Sequence, residues 1–282
     1  MKSACASSNQ PAKRHNPAEY VFFCSHKVDA YGYVENMVVN EACFSNWFFQ
    51  PYRAFRVGHD PMVFLCAEQE MMYRKALVFD DDEVAGEIMA KQLPDEVVQV
   101  LLGGLPTQNC SRTRADELYK ELVASIKALG RKVGQSPGAK TFDDALWDLY
   151  KYELVLDAVR SKFTDGIYEE RTRTLADFLT STASLEIVEA AHYDKVWGVG
   201  FSVDEVEEKC CVCDEHGKSL TVIRTKPGII VGGKKAVAEA RNAPDDLPQD
   251  FVFGETSGPD SWPEGSNLLG RILMQVRKEL RQ

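Results

Sequence analysis

The 282-residue sequence predicts an α+β fold. Two observations carry that reading. Several segments place apolar residues at helical spacing between capping residues. The β-type runs among them are short and follow no βαβ rhythm, which argues against a doubly wound parallel sheet. With 44% hydrophobic and 27% charged residues, the chain has enough apolar surface to bury a core.

Residues 1–18 read as a polar, flexible arm preceding one domain over 19–282. Glu19 to Cys24 and Met62 to Leu65 are β-branched and aromatic runs of strand type. Between them Phe44-Ser-Asn-Trp-Phe-Phe-Gln-Pro is aromatic, with turn chemistry at Ser45-Asn46 and Pro51. A helical pattern runs from Ala67 to about Leu93, where Pro94 stops it. A second helix opens at Thr113 with Asp116 three residues on. It keeps period through Leu118, Leu122, Ile126 and Leu129, and reaches Gly130 as its C-terminal stop. Thr141 and Asp144 open a long helix to Phe163, and another covers about 168–181. Leu185 to Ala191 alternates like a strand, and a closing helix after Asn267 carries Leu269, Ile272, Leu273, Val276 and Leu280 on one face. Residues of about 91–129 and 202–263 read as inserts.

Charge and cysteine content narrow the function classes. Against 43 Asp and Glu stand 33 Lys and Arg, a net charge of −10. That balance is wrong for coating nucleic acid or an anionic membrane, though not for gripping one modified nucleotide. No apolar stretch approaches the roughly 20 residues of a membrane span. Eight scattered cysteines do not form a disulfide framework. The expectation is a soluble, reduced protein of the cytoplasm, or of the nucleus as well in a eukaryote.

Few constellations carry chemistry. Glu68 and Lys75 lie seven apart, within about 20° on a helix, so they share a face. That face is either a solvated salt-bridge stripe or an acid–base pair. Asp194, Trp197-Gly198 and Gly200 follow a strand, giving either a tight turn or a stacking surface with close backbone approach. Gly265 to Gly270 sets backbone amides at a helix start, where phosphate or carboxylate can bind. Gly228 to Lys235 has P-loop spacing, but Lys235 stands where the magnesium-binding hydroxyl belongs and Ile229-Ile-Val reads as strand. Cys210 and Cys213 have C-x-x-C spacing without a second ligand pair. With Cys211 and His216 they read as hairpin residues rather than a metal site.

Seven of these segments stand in one order. They are Phe44-Ser-Asn-Trp, Ala67-Glu-Gln-Glu-Met-Met-Tyr-Arg-Lys-Ala, Gly130-Arg131 followed by Trp147, Lys162-Phe163, Ile187-Val-Glu-Ala, Asp194-x-x-Trp-Gly-x-Gly, and Gly265-x-Asn-x-Leu-Gly with Leu273-Met-x-Val-Arg277. Together they resemble the NADAR family, the YbiA-like group named for NAD and ADP-ribose. The resemblance spans about residues 40–280. It implies a compact, helix-rich single α+β domain with a small sheet.

It also implies N-glycosidase activity: cleavage of riboflavin-pathway ribosylamines, or removal of ADP-ribose from guanine amino groups in nucleic acid. A module that reads ADP-ribose or NAD without turnover is the rival of another class. By the resemblance Glu68 is the catalytic carboxylate, with Lys75 and Asp194 as further catalytic candidates. Ser45, Asn46, Trp147, Trp197 and Gly198 would line the ribose and base, while Arg131, Gly265 and Asn267 would hold phosphates. Gln69 departs from members that carry His after the glutamate, which argues against a proton role there. ADP-ribose or ADP-ribosylated guanosine is the expected partner, and the scheme requires neither metal nor cofactor. Glu68 would stabilise charge on the ribose and move a proton. Alternatively Lys75 would capture an opened ribose as a Schiff base.

Overall fold

Ala67, Glu68, Gln69, Glu70 and Met71 are buried one after another at the start of helix α1 (Ala67–Val78). A helix segment buried all round needs neighbours on every side. The computed structural model, which describes residues 20–23, 41–56, 59–200, 221–225, 228–232 and 265–282, shows them. Helices α2 (Asp82–Met89), α4 (Arg112–Gly130) and α5 (Asp144–Thr164) all pack on α1. Short α3 (Asp95–Leu101) lies on α4, and α6 (Glu169–Ser181) and α7 (Leu268–Glu279) lie on α5.

The strands are few and paired in twos. β1 (Tyr20–Phe23) runs parallel to β4 (Glu186–Glu189), Phe23 opposite Glu189. β2 (Tyr52–Arg56) and β3 (His59–Phe64) form an antiparallel hairpin with an irregularity between Ala54 and Arg56. β5 (Thr221–Thr225) and β6 (Gly228–Gly232) form another, so Ile229 to Val231 is indeed strand. The fold is helix-rich α+β.

Two apolar clusters flank α1. One joins α1, α2, α3 and α4 through Phe79, Ile88, Val100, Val123 and Ile126. The other joins β1, β4, α5, α6 and α7 through Phe23, Val159, Leu175, Ile187 and Ile272. Met72 and Trp147 touch both, so the clusters meet along α1.

Several expected boundaries move. The helix expected over 67–93 breaks in two because Asp80 adopts a left-handed φ of 53° and the Asp81 carboxylate accepts the Val84 N–H at 3.2 Å, starting α2 afresh. Helix α2 ends at Met89, short of the expected stop at Pro94, and Pro94 is instead the N-cap of α3, which the sequence reading missed. Ser111, accepting from Arg114 N–H, caps α4 in place of Thr113, and Asp143 caps α5 in place of Thr141. Strand β2 hides in the aromatic segment after Pro51. Residues 91–129 are packed into the core through α3 and α4. The arm at 1–18 and Cys210, Cys211, Cys213 and His216 lie outside the described residues. Among the described residues no helix is long and apolar enough to cross a membrane.

Candidate active site

The second residue of α1 is Glu68, 3% exposed, with Oε1 bonded to nothing among the described residues. Its helix position favours a carboxylate, since helix N-termini attract negative charge by ~0.3–1 kcal/mol. Burial wins. Desolvation, opposed by Lys127 and Lys75 and aided by Asp194, pushes its pKa from 4.5 to about 7.

Gln69 and Glu70 on either side are spent on structure. Gln69 accepts the Leu65 N–H at 2.8 Å and donates to the carbonyls of Ile88 and Lys91, tying the entrance of α1 to the exit of α2. This amide belongs to the scaffold, in line with the doubt about a proton role. Glu70 accepts the Tyr52 hydroxyl at 2.9 Å and meets Arg74 at 3.4 Å.

The loop before β2 covers the start of α1. The Asn46 carbonyl accepts the Glu68 N–H at 2.9 Å, while Asn46 Oδ1 is buried without a partner. Ser45 Oγ accepts the Trp47 N–H at 3.1 Å. Three groups hold this loop from outside. The buried Lys162 ammonium donates to the carbonyls of Cys43 and Ser45. Tyr119 donates to the Trp47 carbonyl at 2.6 Å, and Arg171 donates to Gln50 and the Phe49 carbonyl. Burial lowers the Lys162 pKa to about 8.

A second set of groups comes from the end of β4, the turn after it and the start of α7, with Asp194 in that turn acting on Glu68. Glu189 is 4% exposed, its Oε2 likewise unpartnered. Burial first, then the charges of Asp194 and Glu68, raise its pKa to about 8 against the pull of Lys127. Sequence reading assigned Glu189 no role. Its available signal was an acidic residue directly after the apolar pair Ile187-Val188 and before Ala190, all three of them buried.

Asp194 organises the turn: Oδ1 accepts from Val196 and Trp197 N–H at 3.0 and 2.8 Å, and its carbonyl accepts from Gly200. Gly198 is required by close approach, since a Cβ there would fall 2.7 Å from the Glu189 carbonyl oxygen. Gly265 is equally tight against Val199.

One sequence expectation changes here. The amides around Asn267 are not open for phosphate. Ser266, Asn267, Leu268 and Leu269 donate to the carbonyls of Lys195, Gly198, Val196 and Trp197. These bonds satisfy the orphan donors at the start of α7 within the fold itself. Asn267 grips β4: Oδ1 accepts the Glu189 N–H at 3.1 Å and Nδ2 donates to the Ile187 carbonyl at 2.9 Å. It is thus a clamp on the strand that carries Glu189.

Two lysines supply positive charge. Lys75 donates to the Gly130 carbonyl at 3.0 Å, with its ammonium 4.2 Å from the Phe142 ring centre and 5.8 Å from that of Trp147. Burial lowers its pKa, opposed by Asp144 and Glu68. Gly130 permits this packing, because a Cβ would fall 2.0 Å from Met72 Sδ. Lys127, one turn earlier on α4, sits 4.5 Å over the Trp47 ring.

The structure therefore brings Asn46, Glu68, Lys75 and Asp194 into one electrostatic neighbourhood, and adds Glu189 and Lys127. Trp147 is half-buried between the clusters, and Trp197 is half-buried against the second. Arg131 is exposed just beyond α4, and its charge is not among those acting on Glu68 or Glu189.

A NADAR domain model matches residues 31–226, which include Glu68, Glu189 and Asp194. The chain belongs to the NADAR domain family. N-glycosidase R617 of Acanthamoeba polyphaga mimivirus is 25% identical over 259 residues, covering 91% of this chain and 99% of the viral protein. Protein irg-1 of Caenorhabditis elegans is 25% identical over 147 residues, or 52% of this chain. The match spans only half of the nematode protein's length.

Proposed function

We propose that this NADAR protein is an N-glycosyl hydrolase that removes ADP-ribose from the guanine amino group of ADP-ribosylated nucleic acid. One observation carries the reading: Glu68 is a buried carboxyl with a free oxygen and a pKa near 7. Breaking a glycosidic C–N bond develops positive charge on the ribose, which a carboxylate stabilises. A carboxyl that titrates near neutrality can also protonate the departing amine and then accept a proton from water. The mimiviral relative's name, N-glycosidase, supports the reaction class.

Asp194, Trp197 and Trp147 would contact ribose and base, and exposed Arg131 would meet phosphate at the rim, where its fork suits bidentate contact. The net charge of −10 fits a nucleic acid held through its modification, not along its backbone. Half-buried Lys75, its pKa lowered by burial, suits the alternative in which an amine captures the opened sugar as a Schiff base.

The test is incubation with guanine-ADP-ribosylated DNA and measurement of free ADP-ribose. Release is expected from wild type. Glu68→Gln should abolish it while keeping ADP-ribose affinity within about tenfold, or ~1.4 kcal/mol. Tight binding by wild type without release would make the protein a reader of ADP-ribose. Turnover of a phosphoribosylamino riboflavin precursor, with none of modified DNA, would keep the hydrolase and change its substrate.

A further inference from the structure

Lys162, in the last turn of α5, is 0% exposed. Burying an ammonium is costly, whereas a methionine of similar length would fill the same space without charge. Its hydrogen bonds leave its own element. Both go to carbonyls, those of Cys43 and Ser45, 119 and 117 residues away in sequence. Phe48 and Phe163 flank it, with ring centres 5.5 and 5.3 Å from the ammonium. Phe163 belongs to the second apolar cluster, so the Lys162-Phe163 pair divides into a charge and a packing residue.

What the lysine grips leads to Glu68. Helix α1 begins without a cap of its own, because Cys66 at the N-cap makes no side-chain cap bond. The first N–H groups of a helix need acceptors from outside it. For Glu68 that acceptor is the Asn46 carbonyl, at 2.9 Å. The loop before β2 therefore caps the helix that presents the candidate catalytic carboxyl.

That loop is pinned on both sides of Asn46. Tyr119 and Arg171 hold Trp47, Phe49 and Gln50 after it, and Lys162 holds Cys43 and Ser45 before it. The Ser45 carbonyl also accepts the Phe48 N–H at 3.1 Å, closing a turn around Asn46 and Trp47. The carbonyl gripped by Lys162 and the carbonyl that caps Glu68 thus belong to consecutive residues. Asn46 is 5% exposed and its Oδ1 is unpartnered, so the same grip aims an open acceptor.

We propose that Lys162 is a positioning residue: by fixing the Cys43 and Ser45 carbonyls it sets the Asn46 carbonyl as the cap of α1 and holds Glu68 in place. The cap stands on the hydrogen bonds alone. The effect on turnover rests on the N-glycosidase reading.

The first arm of the test needs no substrate. Hydrogen exchange at single amides is followed by NMR in wild type and in Lys162→Met, which keeps the length and removes the donor. The Glu68 amide should exchange at least about tenfold faster in the variant, beyond any change at Val123 and Ile126 in α4. A merely structural lysine would accelerate all three alike. Equal acceleration, or an unmoved Glu68 amide, overturns the proposal. Should the variant not fold, wild type still decides: the Lys162 ammonium protons should exchange with water far more slowly than those of exposed Lys120. Exchange as fast as at Lys120 overturns the grip.

The second arm is kinetics on guanine-ADP-ribosylated DNA. Per folded molecule, kcat should fall about 100-fold in Lys162→Met, the scale of an ångström-sized misplacement. KM should change far less, because Lys162 touches no substrate. A loss confined to KM, or an unchanged kcat, overturns the role in turnover. A local exchange effect in a protein whose wild type turns over no ribosylamine supports the cap and overturns the glycosidase reading alone.

Discussion

Replacing Glu68 with glutamine should end turnover and also stabilise the folded protein above neutral pH. The cause is the raised pKa. In the unfolded chain Glu68 ionises near 4.5, and in the folded protein near 7. Between those values the folded state holds a proton that the unfolded state has released, so stability falls as pH rises through the window. Below pH 4.5 the carboxyl is neutral in both states and costs nothing. Above 7 the loss is complete, and 2.5 pH units at ~1.4 kcal/mol each make it ~3 kcal/mol. Solvent screening removes little from this, since the side chain is 3% exposed. Glutamine has nearly the same shape and no charge to desolvate. Urea unfolding of wild type and Glu68→Gln at pH 5 and pH 8 reads the difference. The variant's advantage should be ~1 kcal/mol or less at pH 5 and ~3 kcal/mol at pH 8. With a urea slope of ~2–3 kcal/mol per molar, that is a midpoint shift of about 1 M at the higher pH. Any penalty from an unpartnered amide is the same at both pH values and drops out of the comparison. Equal stability differences at pH 5 and pH 8 would refute the argument that Glu68 is a buried, uncompensated acid.

Lys162→Met should show the opposite sign in wild type as its control. Burial lowers the folded Lys162 pKa to about 8, so wild-type stability should rise from pH 8 toward 10.5, and urea midpoints for the variant should lack that rise. The variant also orphans the Cys43 and Ser45 carbonyls, at ~1–3 kcal/mol each, and should slow turnover by loosening the loop over Glu68. Gly270→Ala would set a Cβ 2.0 Å from the Ile187 carbonyl, so unfolding measurements should show a loss of ~2 kcal/mol or more. A wild-type midpoint there would mean α7 does not seat on β4 as described. For Lys75, borohydride added during turnover should trap a sugar adduct that is absent in Lys75→Ala. An adduct that survives that change excludes Lys75 as the nucleophile.

Helices α4 to α7 were legible because each keeps apolar residues at helical spacing on a buried face, and α4 and α5 also carry side-chain N-caps, Ser111 and Asp143. Periodicity then reads directly as burial, as at Leu122, Ile126 and Leu129 on α4. Helix α1 was legible as a helix but not as a site. Five consecutive buried residues erase the apolar stripe, and charged residues inside it looked like a solvated face. Its break at Asp80 was hidden because one left-handed residue leaves no trace in hydrophobic spacing. Strand β2 was missed because it alternates buried Tyr52 and Ala54 with exposed Arg53 and Phe55, and so lacks an apolar run like Met62 to Leu65, by which β3 was read. Glu68 and Asp194 came from residue type and motif order. Glu189 and Lys127 did not, because their importance depends on which elements fold against them. Asn267 was seen as part of a helix start, yet only the packing of α7 on β4 turns its amide inward.

The orphaned atoms single this place out in the described fold as the candidate site. Gln69, Glu70, Lys162 and Asn267 are as buried as Glu68, and every one has its polar atoms engaged by scaffold. The exceptions are Asn46 Oδ1, Glu68 Oε1 and Glu189 Oε2, with Asp116 Oδ1 apart on α4 under the influence of Arg112. Each unpartnered polar atom costs ~1–3 kcal/mol, against a total stability of ~5–15 kcal/mol for a domain. Asn46 binds the Glu68 backbone, and Glu68 and Glu189 share one field, so two of these costs and a third beside them fall on one spot. A fold that engages every neighbouring polar group could have engaged these as well. Leaving them open stores a cost that a hydroxyl-rich ligand, donating to those oxygens, would relieve on binding. Ribose is such a ligand, and the affinity gained would come from the stability the apo protein has forgone.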